Sequence, residues 1–352
     1  MSPKPNGVER SSHDQPKLDL SREYLLVAEA LQEVEQLIFS QAEEFDPAVA
    51  GYLDSIWRTK GKRLRPAITL FSAGTMGGIS PAHIKLAMIV ELIHLASLVH
   101  DDVMDHAELR RGVLTAYKRW GAEIAVLLGD CLFAHALKSC ADLPPEAARE
   151  IASAANEVCS GEILQTQRQF DLNLDLDQYY KIIGMKTAAL FRICAELSAV
   201  LHGCTAEQRF AMRQFGQTFG VAYQVYDDCL DFFHVENATG KTAGTDIEEG
   251  KITLPLLLML QRVGEGEHQR IFGTILHGSR REKQRLSERV LNSDAMSDAV
   301  MVLENLFAQA RAQLAHFGFN PYRQALESIT RKIVAHLVEL LRCSRSSALS
   351  GT

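Results

Sequence analysis

The sequence lacks the features that mark secreted, membrane-spanning or nucleic-acid-binding proteins. Its 7 cysteines are scattered without a Cys-x-x-Cys pair, which predicts reduced thiols in a cytoplasmic protein and neither a disulfide framework nor a zinc site. No uninterrupted run of roughly 18 apolar residues occurs, since Glu91 and His94 break the longest one, so we expect no transmembrane segment. The net charge of −7 disfavours nucleic acid as a partner. The amino-terminal residues show no basic-then-apolar signal-peptide pattern.

Alternating apolar and polar residues, the pattern of a half-buried strand, are also missing. Helical periodicity starts with Tyr24–Phe45 and continues along the chain. The starts and breaks that separate helices are Ser80-Pro81, Leu143–Glu146, Thr205–Gln208, Ser293 or Asp294, and Pro321, whose helix would run to about Arg342. We predict one all-α domain over residues 21–343, a bundle of roughly ten or more helices. Polar composition predicts flexible tails at residues 1–20 and 344–352.

Two acidic clusters share the pattern Asp-Asp-x-x-Asp within apolar surroundings. The carboxylates are Asp101, Asp102 and Asp105 in the first cluster and Asp227, Asp228 and Asp231 in the second. Residues four apart on a helix lie ~5–6 Å from each other on one face, so the charges repel unless a cation neutralises them. Oxygen ligands without nearby Cys or His pairs favour Mg²⁺ over Zn²⁺. The alternative, two solvated acidic faces, fits the apolar flanks poorly. The clusters predict a diphosphate held by magnesium between two helices.

Basic segments accompany both acidic clusters. Gly61–Pro66 places three cations in a turn before a helix, which is a favourable anion site. Arg110 and Arg111 follow the first cluster, and guanidinium groups suit phosphate oxygens. A polar loop, Gly240–Lys251, follows the second cluster and could close over a phosphate. The alternatives are a solvated basic loop and ion pairs of the arginines with Glu108 or with the cluster itself. The loop lacks P-loop spacing, so nucleotide binding is not supported.

A histidine precedes the first acidic cluster by two helical turns. His94 therefore lies on nearly the same face as Asp101, and both ligand contact and a satisfied polar group between helices remain open. Glu91-x-x-His94 is also the spacing of di-iron bundles. That motif normally occurs twice, and Glu265-x-x-His268 lies in a segment rich in glycine and charge that does not match it. The spacing therefore gives little support to an iron site.

Taken together, these motifs closely resemble the trans-isoprenyl diphosphate synthase family, or polyprenyl synthetases. The resemblance runs from Gly61 to Pro255, in order and at family spacing. It implies an all-α isoprenoid-synthase bundle around a deep central cavity, usually as a homodimer. It also implies transfer of a prenyl group, the 1′-4 head-to-tail condensation of isopentenyl diphosphate with an allylic diphosphate, with roughly two or three Mg²⁺ ions per site. Peripheral membrane contact during product release is compatible with it.

The resemblance assigns a role to each motif residue. The six aspartates match the magnesium-binding motifs. The isopentenyl diphosphate site matches Lys62, Arg65, His94 and Arg111. The allylic diphosphate site matches Arg110, Lys186, Lys241 and Lys251, with Thr187 and Gln224 beside the developing allylic cation. The implied reaction begins with ionisation of the allylic diphosphate, and the leaving diphosphate takes the final proton. The segment His106–Glu108 departs from the pattern of many bacterial relatives and leaves the subfamily open.

The residues just before Asp101 bear on product length. In the family, an aromatic side chain four or five positions before the first aspartate blocks the cavity. Those positions are Ser97 and Ala96 here, both small. One helical turn spans ~5.4 Å, about one isoprene unit, so we predict a long product of about six to ten units. Ile93, Met88 or Phe133 would form a deeper floor, and the alternative is a geranylgeranyl product.

Two other functions share parts of this pattern. A class I terpene cyclase uses the same ionisation chemistry, but would normally carry an Asn/Asp, Ser/Thr, Glu triad in place of the second cluster. A non-catalytic subunit of a heteromeric synthase usually loses aspartates of the clusters. All six aspartates are present in this chain, so the synthase is the favoured interpretation.

Overall fold

The structure is a computed structural model that describes residues 16–57, 61–233 and 245–349, and these residues are helical almost throughout. The helices are α1 Ser21–Tyr24, α2 Ala28–Ser40, α3 Pro47–Trp57, α4 Leu64–Thr75, α5 Pro81–Met104, α6 Ala116–Ser139, α7 Pro145–Gln167, α8 Leu176–Ile183, α9 Ala189–Leu201, α10 Ala206–Asp231, α11 Leu254–Leu260, α12 Glu265–His277, α13 Arg280–Leu291, α14 Asp294–Gln313 and α15 Pro321–Leu349. Short 3₁₀ turns cover Leu25–Val27, Gln41–Glu44, Cys140–Asp142 and Leu314–His316, and a π-helical turn covers Gly184–Ala188. The all-α prediction is confirmed.

The helices that carry the acidic clusters begin where their sequences predict. Helix α5 starts with Pro81 after an N-cap at Ser80, which forms a capping box with the His83 side chain. Helix α10 starts after a capping box between Thr205 and Gln208. Both helices end at an acidic cluster. Their starting points therefore set the positions of the aspartates along the bundle.

Helix α9 packs against both α5 and α10. A glycine permits the close approach of α10 to this layer, because a Cβ atom at Gly220 would lie 2.5 Å from the Cα of Ala188. Phe191, Phe215 and Phe219 fill the space around this contact and are fully buried. The shared core thus fixes the two cluster-bearing helices relative to each other.

One short β-ribbon departs from the prediction of no strands. β1 Leu109–Arg110 pairs antiparallel with β2 Val113–Leu114. The two residues between them, Arg111 and Gly112, have φ values of 53° and 74°. Two consecutive positive φ angles are the geometry of a tight hairpin turn. The ribbon places Arg110 and Arg111 beside the end of α5.

Described structure extends past both predicted tail boundaries. At the amino end, Leu20 is buried and the Pro16 carbonyl lies 2.9 Å from His336 Nε2 on α15, so apolar contact holds residues 16–20 on the bundle. At the other end, α15 continues to Leu349, because residues 344–349 include no Gly or Pro that would stop it. Arg345 also donates a hydrogen bond to Ser297 on α14 at 2.8 Å.

Two helical segments of the described chain are long and apolar enough to span a bilayer. They are Pro81–Met104, with 78% of its most apolar window buried, and Ala116–Asp142, with 44% buried. Glu91 and His94 interrupt the first segment without making it polar on average. A core helix meets the same criterion, and the high burial of the first segment is that of a core helix.

Candidate active site

A single cleft collects most of the predicted site residues. It lies between α5, α7, α8 and α10, beneath the loop before α11, with an empty volume of about 1200 Å³ including its open mouth. The predicted residues that line it are Arg65, His94, Ser97, Asp101, Arg110, Lys186, Thr187, Gln224, Asp227, Asp228 and Lys251. Acidic and basic side chains therefore face the same space, as the paired motifs predict.

The second acidic cluster presents two carboxylates to the cleft. The Tyr179 hydroxyl donates to Asp228 Oδ2 at 2.6 Å, and the Gln224 amide donates to Asp228 Oδ1 at 2.7 Å. Thr187 in turn donates to Gln224 Oε1 at 2.6 Å. These contacts form one chain of hydrogen bonds that fixes the orientation of Gln224 and Asp228.

The second cluster is costly to ionise without a cation. Burial, with repulsion from Asp228, raises the pKa of Asp227 to about 7. Burial also raises the pKa of Asp228 to about 6, although the hydrogen bonds from Tyr179 and Gln224 oppose the shift. Asp231 does not line the cleft, and instead accepts hydrogen bonds from the backbone N–H groups of Thr245 and Asp246 at 3.3 and 3.2 Å. It therefore anchors the loop that covers the cleft.

The three carboxylates of the first acidic cluster have different surroundings. Asp101 lines the cleft. Asp102 is buried and turned to the β-ribbon, where Arg110 Nε lies 2.8 Å and 3.0 Å from its two oxygens. Asp105 Oδ1 lies 3.6 Å from Lys251 Nζ. The alternative given above for Arg110, an ion pair with the cluster itself, is therefore the arrangement seen here.

The carboxylates fit a cation that is shared with a ligand. Among the described residues, no three carboxylate, imidazole or thiolate groups converge closely enough to hold a metal ion alone. Asp101, Asp227 and Asp228 nevertheless face one cleft, and the buried Asp227 Oδ1 has no hydrogen-bond partner. Mg²⁺ typically binds one or two carboxylates and completes its shell with water and phosphate oxygens. The donor set therefore suits Mg²⁺ bound together with a diphosphate.

The cations of the cleft are held by acidic neighbours. Lys186 Nζ lies 2.5 Å from Glu162 Oε2, and Lys251 Nζ lies 2.5 Å from Glu249 Oε2. Lys186 belongs to the π-helical turn, which packs so tightly on α7 that a Cβ at Gly161 would lie 2.5 Å from the Lys186 nitrogen. π-helical turns often occur at functional sites. The close contact sets the depth at which Lys186 enters the cleft.

The basic loop before α4 contributes the other wall. Arg65 stacks over the Phe191 ring at 4.8 Å, and its buried Nε has no hydrogen-bond partner in the described structure. Burial, followed by the charges of Arg65 and Arg111, lowers the pKa of His94 well below its usual range, so the imidazole is neutral. Burial lowers the pKa of Lys62, although attraction to Asp227 opposes it. These groups form a site that suits an anion.

The other sequence-predicted residues lie outside the cleft. Arg111 borders a smaller recess beside the β-ribbon, and its guanidinium packs on Gly61. Ala96 and Ile93 are fully buried, and Phe133 is half-buried on α6. Of the chain-length positions, only Ser97 faces the cleft in the described structure. Lys241 lies outside the described residues.

Sequence reasoning missed several cleft residues, among them Glu162, Gln165, Arg168, Tyr179, Asp246 and Glu249. Asp246 and Glu249 lie in the Gly-rich loop that had been singled out for its lysines. Glu162 follows Gly161, but a glycine and an acid within a helical pattern carry no functional signal of their own. Tyr179 precedes Asp228, which it contacts, by 49 positions, so no spacing rule connects the two.

Comparison with known proteins identifies the family. Residues 46–293 match the Polyprenyl synthetase family. The nonaprenyl diphosphate synthase of Mycobacterium tuberculosis is 34% identical over 84% of this chain and 89% of its own length. The all-trans-nonaprenyl-diphosphate synthase of Rhodobacter capsulatus is 36% identical over 77% and 84%, respectively. The crystal structure of a Caulobacter crescentus polyprenyl synthase, with calcium and isoprenyl diphosphate, superposes with a TM-score of 0.85 at 35% identity over 91% of this chain and 98% of that one. This chain therefore belongs to the polyprenyl synthetase family.

Proposed function

We propose that this protein is a trans-prenyltransferase that joins isopentenyl diphosphate to an allylic diphosphate and releases diphosphate. The observation that carries the proposal is one cleft in which Asp101, Asp227 and Asp228 face Lys186 and Lys251. Carboxylates alone would repel a diphosphate, and lysines alone would bind it without a metal ion. The combination suits a diphosphate that is bound through Mg²⁺ on one side and through lysines on the other.

The two substrates occupy different regions of the site, the allylic diphosphate within the cleft and isopentenyl diphosphate at its border with the basic loop. The allylic diphosphate lies between the acidic clusters, where Lys186 and Lys251 contact its oxygens, with Arg110 and Lys241 added from the family pattern. Isopentenyl diphosphate binds at the basic loop. Its diphosphate meets Lys62, Arg65, His94 and Arg111. The unpartnered Arg65 Nε and the neutral His94 ring support this assignment, since both are available to donate to an anion.

The reaction is driven by electrostatic stabilisation of the leaving group. The family pattern implies roughly two or three Mg²⁺ ions per site, and these ions would neutralise charge on the diphosphate. Lys186 and Lys251 stabilise the negative charge that develops as the allylic C–O bond breaks. Thr187 donates to Gln224 and fixes its orientation, and the family pattern puts both groups beside the developing allylic cation. The isopentenyl double bond then attacks that carbon, and the departing diphosphate takes the proton that is lost.

Apolar side chains complete the cleft and protect the cation. Leu98, Val158, Ile182 and Ile183 line its walls, and exclusion of water prevents hydrolysis of a reactive intermediate. Ser97 is the small residue that lines the cleft, and in this proposal the growing chain extends past it toward the buried Ala96 and Ile93, with Phe133 on the neighbouring helix. This arrangement, and the names of the two nonaprenyl synthases, favour a long product of about C30–C50.

The protein acts as a homodimer in the cytoplasm in this proposal. Helix α6 leaves Ile124, Val126, Leu127 and Leu137 exposed, and clustered exposed apolar side chains mark interaction surfaces. A second copy covering this face would bury it. Product release would involve peripheral contact with a membrane, because a long prenyl chain is insoluble in water. Light scattering of the purified protein tests the dimer.

The experiment that tests the catalytic proposal compares two aspartate variants. Asp227→Asn removes a cleft carboxylate, while Asp177→Asn changes an exposed carboxylate on α8. With Mg²⁺, an allylic primer and labelled isopentenyl diphosphate, we expect Asp227→Asn to lower kcat by about a hundredfold or more, an electrostatic loss of ~3 kcal/mol. Asp177→Asn should match the unaltered protein. Equal activity of both variants would contradict the proposed site.

A further inference from the structure

The basic loop contains a residue in a strained conformation that faces away from the cleft. Arg63, directly before α4, has φ 47° and ψ 39°, a left-handed conformation that residues with a Cβ seldom adopt. Such a conformation persists only where the surroundings enforce it, and it clusters at functional sites. Its neighbours Lys62 and Arg65 are the proposed anion-binding cations. The strained residue therefore lies in the loop whose backbone conformation determines the positions of Lys62 and Arg65.

Three acceptors from three helices hold the Arg63 guanidinium. Its Nε lies 2.5 Å from Glu35 on α2, and its Nη1 lies 2.7 Å from Glu91 on α5. Its Nη2 donates to the Trp57 carbonyl at the end of α3 at 3.2 Å. The side chain is only 9% exposed. A planar guanidinium with several fixed donors suits such a bridge, which a lysine would not reproduce.

A fourth contact holds the neighbouring peptide. The Tyr24 hydroxyl donates to the Lys62 carbonyl at 2.8 Å. Tyr24 ends α1 and its ring packs edge-on against Phe71 of the core. The amino-terminal segment Ser21–Ser40 thus fastens the loop at two successive residues, through Tyr24 and through Glu35. This segment lies before residues 46–293, which match the family.

We propose that Arg63, Glu35 and Tyr24 form a positioning clamp, which holds the basic loop in the shape that presents Lys62 and Arg65 to the diphosphate of isopentenyl diphosphate. The inference rests on the proposed function, which makes those two cations the ligands of that substrate. Arg63 does not bind the substrate, because two carboxylates neutralise its charge. A loop fixed before binding loses less conformational entropy when the anion arrives.

An electrostatic effect of Glu35 and its role in the clamp predict opposite changes in the KM for isopentenyl diphosphate. Glu35 is a carboxylate close to an anion site. If its charge alone mattered, then its removal would strengthen binding of an anionic substrate and lower the KM for isopentenyl diphosphate. If it holds Arg63 in place, then its removal loosens the loop and raises that KM. The direction of the change therefore separates the clamp from a general electrostatic effect.

The test uses the full chain with Mg²⁺ and measures KM for each substrate, kcat and Tm. The variants are Glu35→Ala and Tyr24→Phe, since Arg63→Ala would leave the buried Glu91 unpaired and risk unfolding. The matched control is Glu33→Ala, an exposed acid on the same helix. We expect both clamp variants to raise the KM for isopentenyl diphosphate about tenfold, or ~1.4 kcal/mol. The KM for the allylic substrate and all constants of Glu33→Ala should stay unchanged.

A reference variant separates failure of the clamp from failure of the proposed function. Lys62→Ala should raise the KM for isopentenyl diphosphate whether or not the clamp exists, because Lys62 is a proposed ligand of that substrate. If it does so while Glu35→Ala and Tyr24→Phe leave that KM unchanged or lower it, then the clamp is refuted and the proposed function stands. A rise in both substrate KM values with a lower Tm would also refute the clamp, as a general structural effect. If Lys62→Ala has no effect, then the assignment of the loop fails, and the clamp fails with it.

Discussion

Adding one methyl group at Gly161 should displace Lys186 and slow the reaction. The new Cβ would lie 2.5 Å from the Lys186 backbone nitrogen and 2.9 Å from its Cα, whereas ordinary contact begins at ~3.4 Å. It would also lie 2.9 Å from the Met185 Cβ, and all three atoms are held by the backbone of the π-helical turn, so no flexible side-chain end can move aside. Helix α7 and the turn must therefore separate by ~0.9 Å, the difference between ordinary contact and 2.5 Å.

The displacement should affect both stability and catalysis. Overpacking of this kind costs ~1–3 kcal/mol, or a fall in Tm of ~1–4 °C at an unfolding entropy of roughly 2.1 cal/mol/K for each residue. A shift of ~1 Å in a catalytic group can lower the rate about a hundredfold. We expect Gly161→Ala to lower kcat by about tenfold to a hundredfold, since Lys186 retains its charge and part of its reach.

The assay compares Gly161→Ala with Gly273→Ala. Gly273 lies within α12, and a Cβ there would meet nothing within 4 Å. Its replacement should leave kcat unchanged and raise stability by ~0.5–1 kcal/mol, because alanine favours the helix. The reasoning is refuted if Gly161→Ala behaves like Gly273→Ala in both kcat and Tm.

Three further predictions follow from the geometry of the cleft. Because the folded-state pKa of Asp227 is about 7 against an ordinary 3.8, its contribution to the stability of the metal-free protein should decrease as pH rises between those values and level off above them. Thermal shift should accordingly show a larger rise in Tm from Mg²⁺ plus pyrophosphate at about pH 8 than at about pH 5.5, where the cleft carboxyls are partly protonated; an equal rise would contradict this. Ser97→Phe should shorten the main product without abolishing turnover, as chromatography of the dephosphorylated chains would reveal, since Ser97 lines the cleft; an unaltered product would place the limiting residue elsewhere. Asp102→Asn should raise the KM for the allylic substrate more than that for isopentenyl diphosphate, because it releases Arg110; equal effects would remove the positioning role of Asp102.

The helices were predictable because their signals are local. Capping residues at Ser80 and Thr205, and the proline at the start of α5, determine where a helix begins without reference to the rest of the fold. The last turns of α15 and residues 16–20 lie within the predicted tails, and they make contacts with distant helices. Polar composition alone does not report such contacts.

The acidic clusters were predictable, but the orientation of each carboxylate was not. Helical spacing places Asp101 and Asp102 on different faces, and a sequence does not say which face borders the cleft. That depends on the β-ribbon, whose turn presents Arg110 to Asp102. Tyr179 was missed for a related reason, because only the packing of α8 against α10 brings it to Asp228. Long-range contacts thus decide which cluster residues face the substrate.

The measurement that tests the central claim most directly sizes the products of the purified protein. It is incubated with Mg²⁺, farnesyl diphosphate and radiolabelled isopentenyl diphosphate, and the products are dephosphorylated and separated. The account predicts Mg²⁺-dependent incorporation, with a ladder of products that ends at about six or more isoprene units. Each unit added past Ser97 needs about the length of one helical turn, ~5.4 Å. No incorporation with any allylic primer would contradict it.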